Sequence, residues 1–202
     1  MKNRKLTLRQ MTLIAMFMAV EVVMWLLRLG QVPVGPLNMS FLTVPVAVGA
    51  ILLGPSAGLI LGATFGLTSL YDAMTGASVL TGYFFSTHPF HTVLLCVATR
   101  ALMGLCTGLL FRALKHGQPA RIWHYFAGAL SAPLLNTLFF MGYICLFLYN
   151  TERVQSIAAS LGATNPMMFV VLLVGVQGLV EAAVCCLVGG SVAKGVAKAM
   201  KL

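Results

Sequence analysis

The run Phe90–Leu114, FHTVLLCVATRALMGLCTGLLFRAL, decides the class of this protein. A hydrocarbon core about 30 Å thick is crossed by roughly 20 apolar residues in an α-helix, and this run exceeds that length. Its only charge before the last turn, Arg100, lies about 15 Å inside at a rise of ~1.5 Å per residue. Comparable runs flank it on both sides: Leu8–Leu29, Phe41–Leu53, Ala57–Met74, Ile122–Tyr149 and Pro166–Gly190. The pattern predicts an all-α membrane protein with six transmembrane helices, over residues 8–29, 41–53, 57–74, 90–114, 122–149 and 166–190. Six spans use about 120–150 residues, so residues 1–202 are expected to form a single integral membrane domain.

Composition agrees with the runs. Hydrophobic residues make up 59% of the 202 positions and charged residues 8%, whereas a soluble domain carries about 25% charge. The net charge of +9 forms no basic face or arm, which argues against a nucleic-acid partner. The basic residues punctuate the gaps between apolar runs instead. Lys2, Arg4, Lys5 and Arg9 precede the first span, Arg112, Lys115 and Arg121 lie around the fourth connection, and Lys194, Lys198 and Lys201 close the chain. Six spans put these three groups on one side, and the excess of positive charge predicts that side to be the cytoplasm. Both termini are therefore expected in the cytoplasm, with the chain threaded through the membrane.

Cys96, Cys106, Cys145, Cys185 and Cys186 all fall within apolar segments and form no CxxC pair, so they read as small buried hydrophobes. The first run is about 20 residues long and lacks a small-residue cleavage signal, which makes it a retained helix rather than a signal peptide. Between spans, Gly30–Asn38 carries two prolines and two glycines and should break any helix, and Gly54-Pro55-Ser56 reads as a tight turn. Thr75–Pro89, polar and aromatic, reads as a loop with partial structure.

Few polar residues are placed inside the spans, and each needs a partner or a wet cavity, because a charge near the bilayer centre costs at least ~2.5–3.5 kcal/mol. They are Glu21, Arg28, Arg100, Asn136, Gln177 and Glu181. Arg28 is close enough to the outer end of its span to snorkel. Arg100, Asn136 and Gln177 come out at similar depth on spans four, five and six, roughly 15–20 Å from the outer ends. A cation and two amides in one layer suit an anionic, hydrogen-bonding solute such as a carboxylate. The alternative is a structural ion pair of Arg100 with Glu181 or Glu21. Pro133, three residues before Asn136, frees a backbone carbonyl near the same layer, and Phe140 follows Asn136 at i+4 as an apolar wall. His88 and His91 are three apart, but two imidazoles without a cysteine or carboxylate do not make a metal site, so no metal or cofactor is expected.

Small residues recur at helical spacing in Ala15/Ala19, Gly58/Gly62/Gly66 and Gly104/Gly108, where they permit close helix contact. There is no G-x-x-x-x-G-K-[ST] phosphate loop, so this chain cannot itself be an ATP-driven pump. It also lacks G-x-S-x-G, H-E-x-x-H and paired-carboxylate motifs, which argues against an enzyme. A solitary channel or facilitator is the other transport reading, and the sparse polar residues fit it poorly.

The run Phe41–Gly58, FLTVPVAVGAILLGPSAG, resembles the second-to-third helix region of the substrate-binding S components of energy-coupling factor (ECF) vitamin transporters. Chain length, six spans, a basic N-terminus and Ala15-xxx-Ala19 on the first span match as well, so the resemblance covers essentially the whole chain. It implies a high-affinity vitamin-binding subunit that docks through Ala15 and Ala19 on a membrane-embedded coupling subunit. That subunit would be driven by two cytoplasmic ATPases, and the S component would topple in the bilayer to carry its ligand inward. Arg100 and Leu135-Asn136-Thr137 look most like the pantothenate-specific members, in which an Arg and an Asn hold the ligand and the region matching Ala63-Thr64-Phe65-Gly66 lines the pocket. The expected substrate-binding set is thus Arg100, Asn136, Gln177, Phe65, Gly66 and Phe140. Riboflavin, folate, pyridoxine and cobalamin are the alternative ligands, and Glu21 and Glu181 match no position of the family pattern.

Overall fold

A computed structural model describes residues 7–29, 31–34, 37–116 and 119–200. Eight helices carry the fold: α1 (Leu8–Leu26), α2 (Thr43–Leu53), α3 (Pro55–Met74), α4 (Val79–Thr87), α5 (Pro89–Lys115), α6 (Ile122–Leu148), α7 (Glu152–Ser160) and α8 (Pro166–Ala199). Five of them, α1, α3, α5, α6 and α8, are long and apolar enough to cross a membrane. The chain is a multi-pass membrane protein. By contrast, α2 has 11 residues and spans about 16 Å at ~1.5 Å per residue, half a hydrocarbon core. Its residues Thr43 and Pro45–Ile51 are buried, so protein rather than lipid surrounds it.

Local chemistry sets the helix ends. Thr7 and Gln10 form a capping box at the start of α1, and Asn165 accepts from the Met168 backbone N–H at 2.8 Å to cap α8, with Pro166 in its first turn. α1 stops three residues earlier than its apolar run suggests. Arg28 takes a left-handed conformation (φ 56°), and the amides of Arg28 and Leu29 close back on the carbonyls of Trp25 and Met24, a Schellman ending.

The helix break expected at Gly30–Asn38 and the partly structured loop expected at Thr75–Pro89 both contain regular elements. Gln31–Val34 (β1) and Leu37–Ser40 (β2) pair antiparallel, Gln31 opposite Ser40 and Val34 opposite Leu37. Gly30, Gly35 and Pro36, on which the helix-breaking reading partly rests, lie outside the described residues, as do Lys2, Arg4, Lys5 and Lys201 of the charge count. Thr75–Pro89 contains α4, whose Leu80 and Phe84 are fully buried one turn apart. That apolar pair anchors a short helix where polar neighbours suggested a loop. The last helix also runs on to Ala199 rather than stopping at Gly190.

The centre of the bundle is the α3–α5 seam. These helices run antiparallel, with Gly58 against Gly104, Gly62 against the carbonyl of Arg100 and Gly66 against that of Cys96. A Cβ at Gly62 would overlap backbone, so glycine is what lets the two helices touch along their length. One apolar cluster joins Ile14 of α1, Leu42 and Val46 of α2, Phe65 of α3 and Met103 of α5. A second joins Phe84 of α4, Leu95 of α5, Phe140 of α6, Val154 of α7 and Phe169 of α8. The polar residues inside the bundle gather between the two.

Candidate functional site

Arg100 is the pivot. Residues Leu94–Ala98 of α5 form a π turn immediately before it, and such a turn leaves carbonyls outside the i→i−4 ladder. The Arg100 side chain folds back along the helix, as helical side chains do. Its Nη1 donates to the carbonyls of Cys96 at 3.3 Å and Leu95 at 3.5 Å. Phe65 of α3 and Phe140 of α6 flank the guanidinium at 4.7 and 4.8 Å from their ring centroids. Each such face contributes about 0.5–2 kcal/mol, more when water is excluded. The charge is 8% exposed, and its Nε has no partner. Of the acids weighed as its ion-pair partners, Glu181 lines the same cavity as Arg100 and Glu21 does not.

A cavity of about 70 Å³ opens beside Arg100, which by water-probe volume holds about five to seven waters. Its wall includes Phe65, Ser69 and Asp72 of α3, Asn136, Thr137 and Phe140 of α6, and Gln177 and Glu181 of α8. Ser40 of β2 and Ser78 and Thr81 at the start of α4 close it from the connections. Seven buried side-chain polar atoms among the described residues lack a hydrogen-bond partner. Five of them belong to this wall: Ser40 Oγ, Thr81 Oγ1, Arg100 Nε, Asn136 Oδ1 and Gln177 Oε1. An orphaned buried group costs about 1–3 kcal/mol. Five around one cavity mark a surface prepared for polar partners that the chain does not supply.

Five of the six expected pocket residues, Arg100, Asn136, Gln177, Phe65 and Phe140, meet at this cavity. Gly66 does not line it and instead packs on Cys96 and Val97 across the seam. Pro133 is buried within α6, one turn before Asn136. His91 Nδ1 lies 2.9 Å from the Tyr143 hydroxyl, outside the wall. Ser40, Ser78 and Thr81 were missed by sequence reasoning because they sit at element ends or in connections, and Ser69 and Asp72 because the run Ala57–Met74 does not tell which of its faces meets the cavity. Asp72 is 3% exposed and accepts from the Trp25 indole N–H at 3.1 Å. Glu181 accepts from the Ser40 backbone N–H at 2.7 Å.

A family model described as ECF transporter, substrate-specific component matches residues 9–189. The chain belongs to that family. No curated protein matches it. As an S component it is a transport subunit rather than an enzyme, and membership implies a vitamin substrate and a membrane-embedded complex with ATPase components. In this S component, Ala15 and Ala19 are exposed on α1, on the side turned away from Ile14 and Glu21, the two residues that α1 buries. Glu21 is fully buried with neither carboxylate oxygen bonded, and it does not line the cavity.

Proposed function

We propose that this S component captures an anionic, hydrogen-bonding vitamin in the Arg100 cavity, with pantothenate the favoured ligand. The observation that carries the reading is the set of orphaned polar atoms around a cation already held in place by two aromatic faces. Arg100 needs no rearrangement to receive a carboxylate, since its planar guanidinium is fixed and Nε is unpaired. The orphaned atoms at Ser40, Thr81, Asn136 and Gln177 suit hydroxyl and amide groups of the same molecule. Pantothenate combines a carboxylate, an amide and two hydroxyls. A cavity with room for a handful of waters favours a compact ligand over cobalamin.

Delivery follows the family plan in this reading. Residues 1–202 act as one membrane domain with six crossings, α2 completing one of them, and with both termini in the cytoplasm of a prokaryotic cell. Support comes from direction and charge: α3 and α5 run antiparallel, and Arg112 and Lys115 end α5 as Lys194 and Lys198 end α8. The exposed Ala15/Ala19 face docks on the coupling subunit, and two cytoplasmic ATPases drive the toppling that carries the ligand inward.

Calorimetric titration of purified protein with pantothenate tests the ligand. Submicromolar binding is expected, and Arg100→Ala should abolish it. Tight riboflavin binding with no response to pantothenate would overturn the ligand and leave the family assignment standing.

A further inference from the structure

α1 is the membrane-length helix that the rest of the molecule covers least. α1 buries only Ile14 and Glu21, and the β1–β2 hairpin that follows is a two-stranded ribbon, a unit with marginal stability of its own. Two polar contacts tie this segment to the rest of the molecule across long stretches of sequence. Near the end of α1, the Trp25 indole N–H donates to both carboxylate oxygens of Asp72, at 3.1 and 3.2 Å, with Tyr71 edge-on to the indole at 5.3 Å. At the end of the hairpin, the Ser40 backbone N–H donates to Glu181 Oε1 at 2.7 Å. Both acceptors are buried carboxylates, and both line the Arg100 cavity.

We propose that Asp72 and Glu181 are positioning residues that fasten α1 and the hairpin to the cavity wall, so that a ligand in the cavity changes how firmly that segment is held. A hydrogen bond to a buried carboxylate is about twice as strong as one between neutral groups, and it is stronger still where water is excluded. α1 also packs Ile14, Phe17, Met18, Met24 and Trp25 on the core, and the two bonds fix where its end and the hairpin meet the cavity wall. The acceptors share the cavity with Arg100, and a bound molecule that contacts Arg100 alters the field at both. The segment fastened in this way also carries the exposed Ala15/Ala19 face, which links cavity occupancy to the presentation of that face. The fastening stands without any ligand. Its response to occupancy rests on the reading that the cavity holds the vitamin.

Hydrogen exchange of the full-length protein in nanodiscs, first without ligand, tests the fastening. Glu181→Ala should raise exchange in residues 31–40 roughly tenfold, the loss expected for one charge-assisted bond. Glu181→Gln, which keeps an acceptor oxygen, should restore most of the protection. Trp25→Phe, which removes only the donor, should raise exchange in residues 22–29, and α3 and α5 should exchange as in the wild type throughout. Unchanged exchange in the hairpin and α1, or an equal rise in α3 and α5, would overturn the proposal. If Glu181→Ala does not fold, Trp25→Phe and Glu181→Gln decide it on the same readout. Adding pantothenate should then slow hairpin exchange in the wild type and slow it less in Trp25→Phe. Equal slowing in both would overturn the occupancy link. If pantothenate fails to bind the wild type, the ligand assignment falls while the ligand-free result still decides the fastening.

Discussion

The α3–α5 seam and α1 are both apolar helical segments of membrane length, yet the rest of the molecule covers them very differently. In the most apolar stretch of α3, 61% of residues are buried, against 11% in α1. The seam is backbone against backbone, with glycine at the points where the helices meet. α1 turns Ala15, Ala19, Val22, Val23 and Leu26 outward and is held by the apolar residues of its other side and by the Trp25–Asp72 contact. Apolar character alone therefore does not say which helix is wall and which is contact surface. In lipid there is no hydrophobic drive to join helices, so close packing, which only small residues allow, makes the distinction.

The largest effect is expected at the seam. Gly62→Leu must push its side chain into the carbonyl of Arg100, and a loss of about 3 kcal/mol or more is expected, read as loss of a monodisperse peak on size exclusion. A well-folded Gly62→Leu protein would mean the seam tolerates separation and would dissolve the contrast. Ala15→Trp combined with Ala19→Trp should move unfolding by no more than about 0.5 kcal/mol, as expected for exposed positions. Co-purification with a coupling subunit should nevertheless drop at least about tenfold. If the double variant assembles and transports normally, the exposed face of α1 is not the docking surface. The smallest change is at the junction of the two regimes. Arg28 holds a left-handed conformation that glycine adopts without penalty, so Arg28→Gly should raise stability by up to about 1 kcal/mol, measured as a modest rise in Tm.

Much of the architecture was legible because membrane helices announce themselves through length. The runs at 8–29, 57–74, 90–114, 122–149 and 166–190 correspond to the five membrane-length helices within a few residues, apart from the longer C-terminal end of α8. The run at 41–53 corresponds to α2, where length does not settle a crossing. What failed was local. Leu80 and Phe84 anchor α4 inside a stretch whose polar residues suggested a loop, and the hairpin was hidden behind the helix-breaking signals that flank it. At the site, depth counting along separate helices drew Arg100, Asn136 and Gln177 to one layer, since rise per residue is nearly constant. Gly66 came into the expected set through the family resemblance, which does not supply helix rotation, and it faces Cys96 across the seam.

The sequence by itself determined that this chain lives in a bilayer, that residues 1–202 contain no G-x-x-x-x-G-K-[ST] phosphate loop, and that an arginine deep in one span requires an explanation. Those conclusions need only transfer energies and helical rise, which act residue by residue. The tertiary structure alone decided that Asp72 and Glu181 face the cavity, and that Trp25 and Ser40 reach them from 47 and 141 residues away in the chain. It also set Arg100 between Phe65 and Phe140. Those are contacts between elements, and no local pattern encodes them, because each depends on how the glycine-lined helices rotate and close on one another.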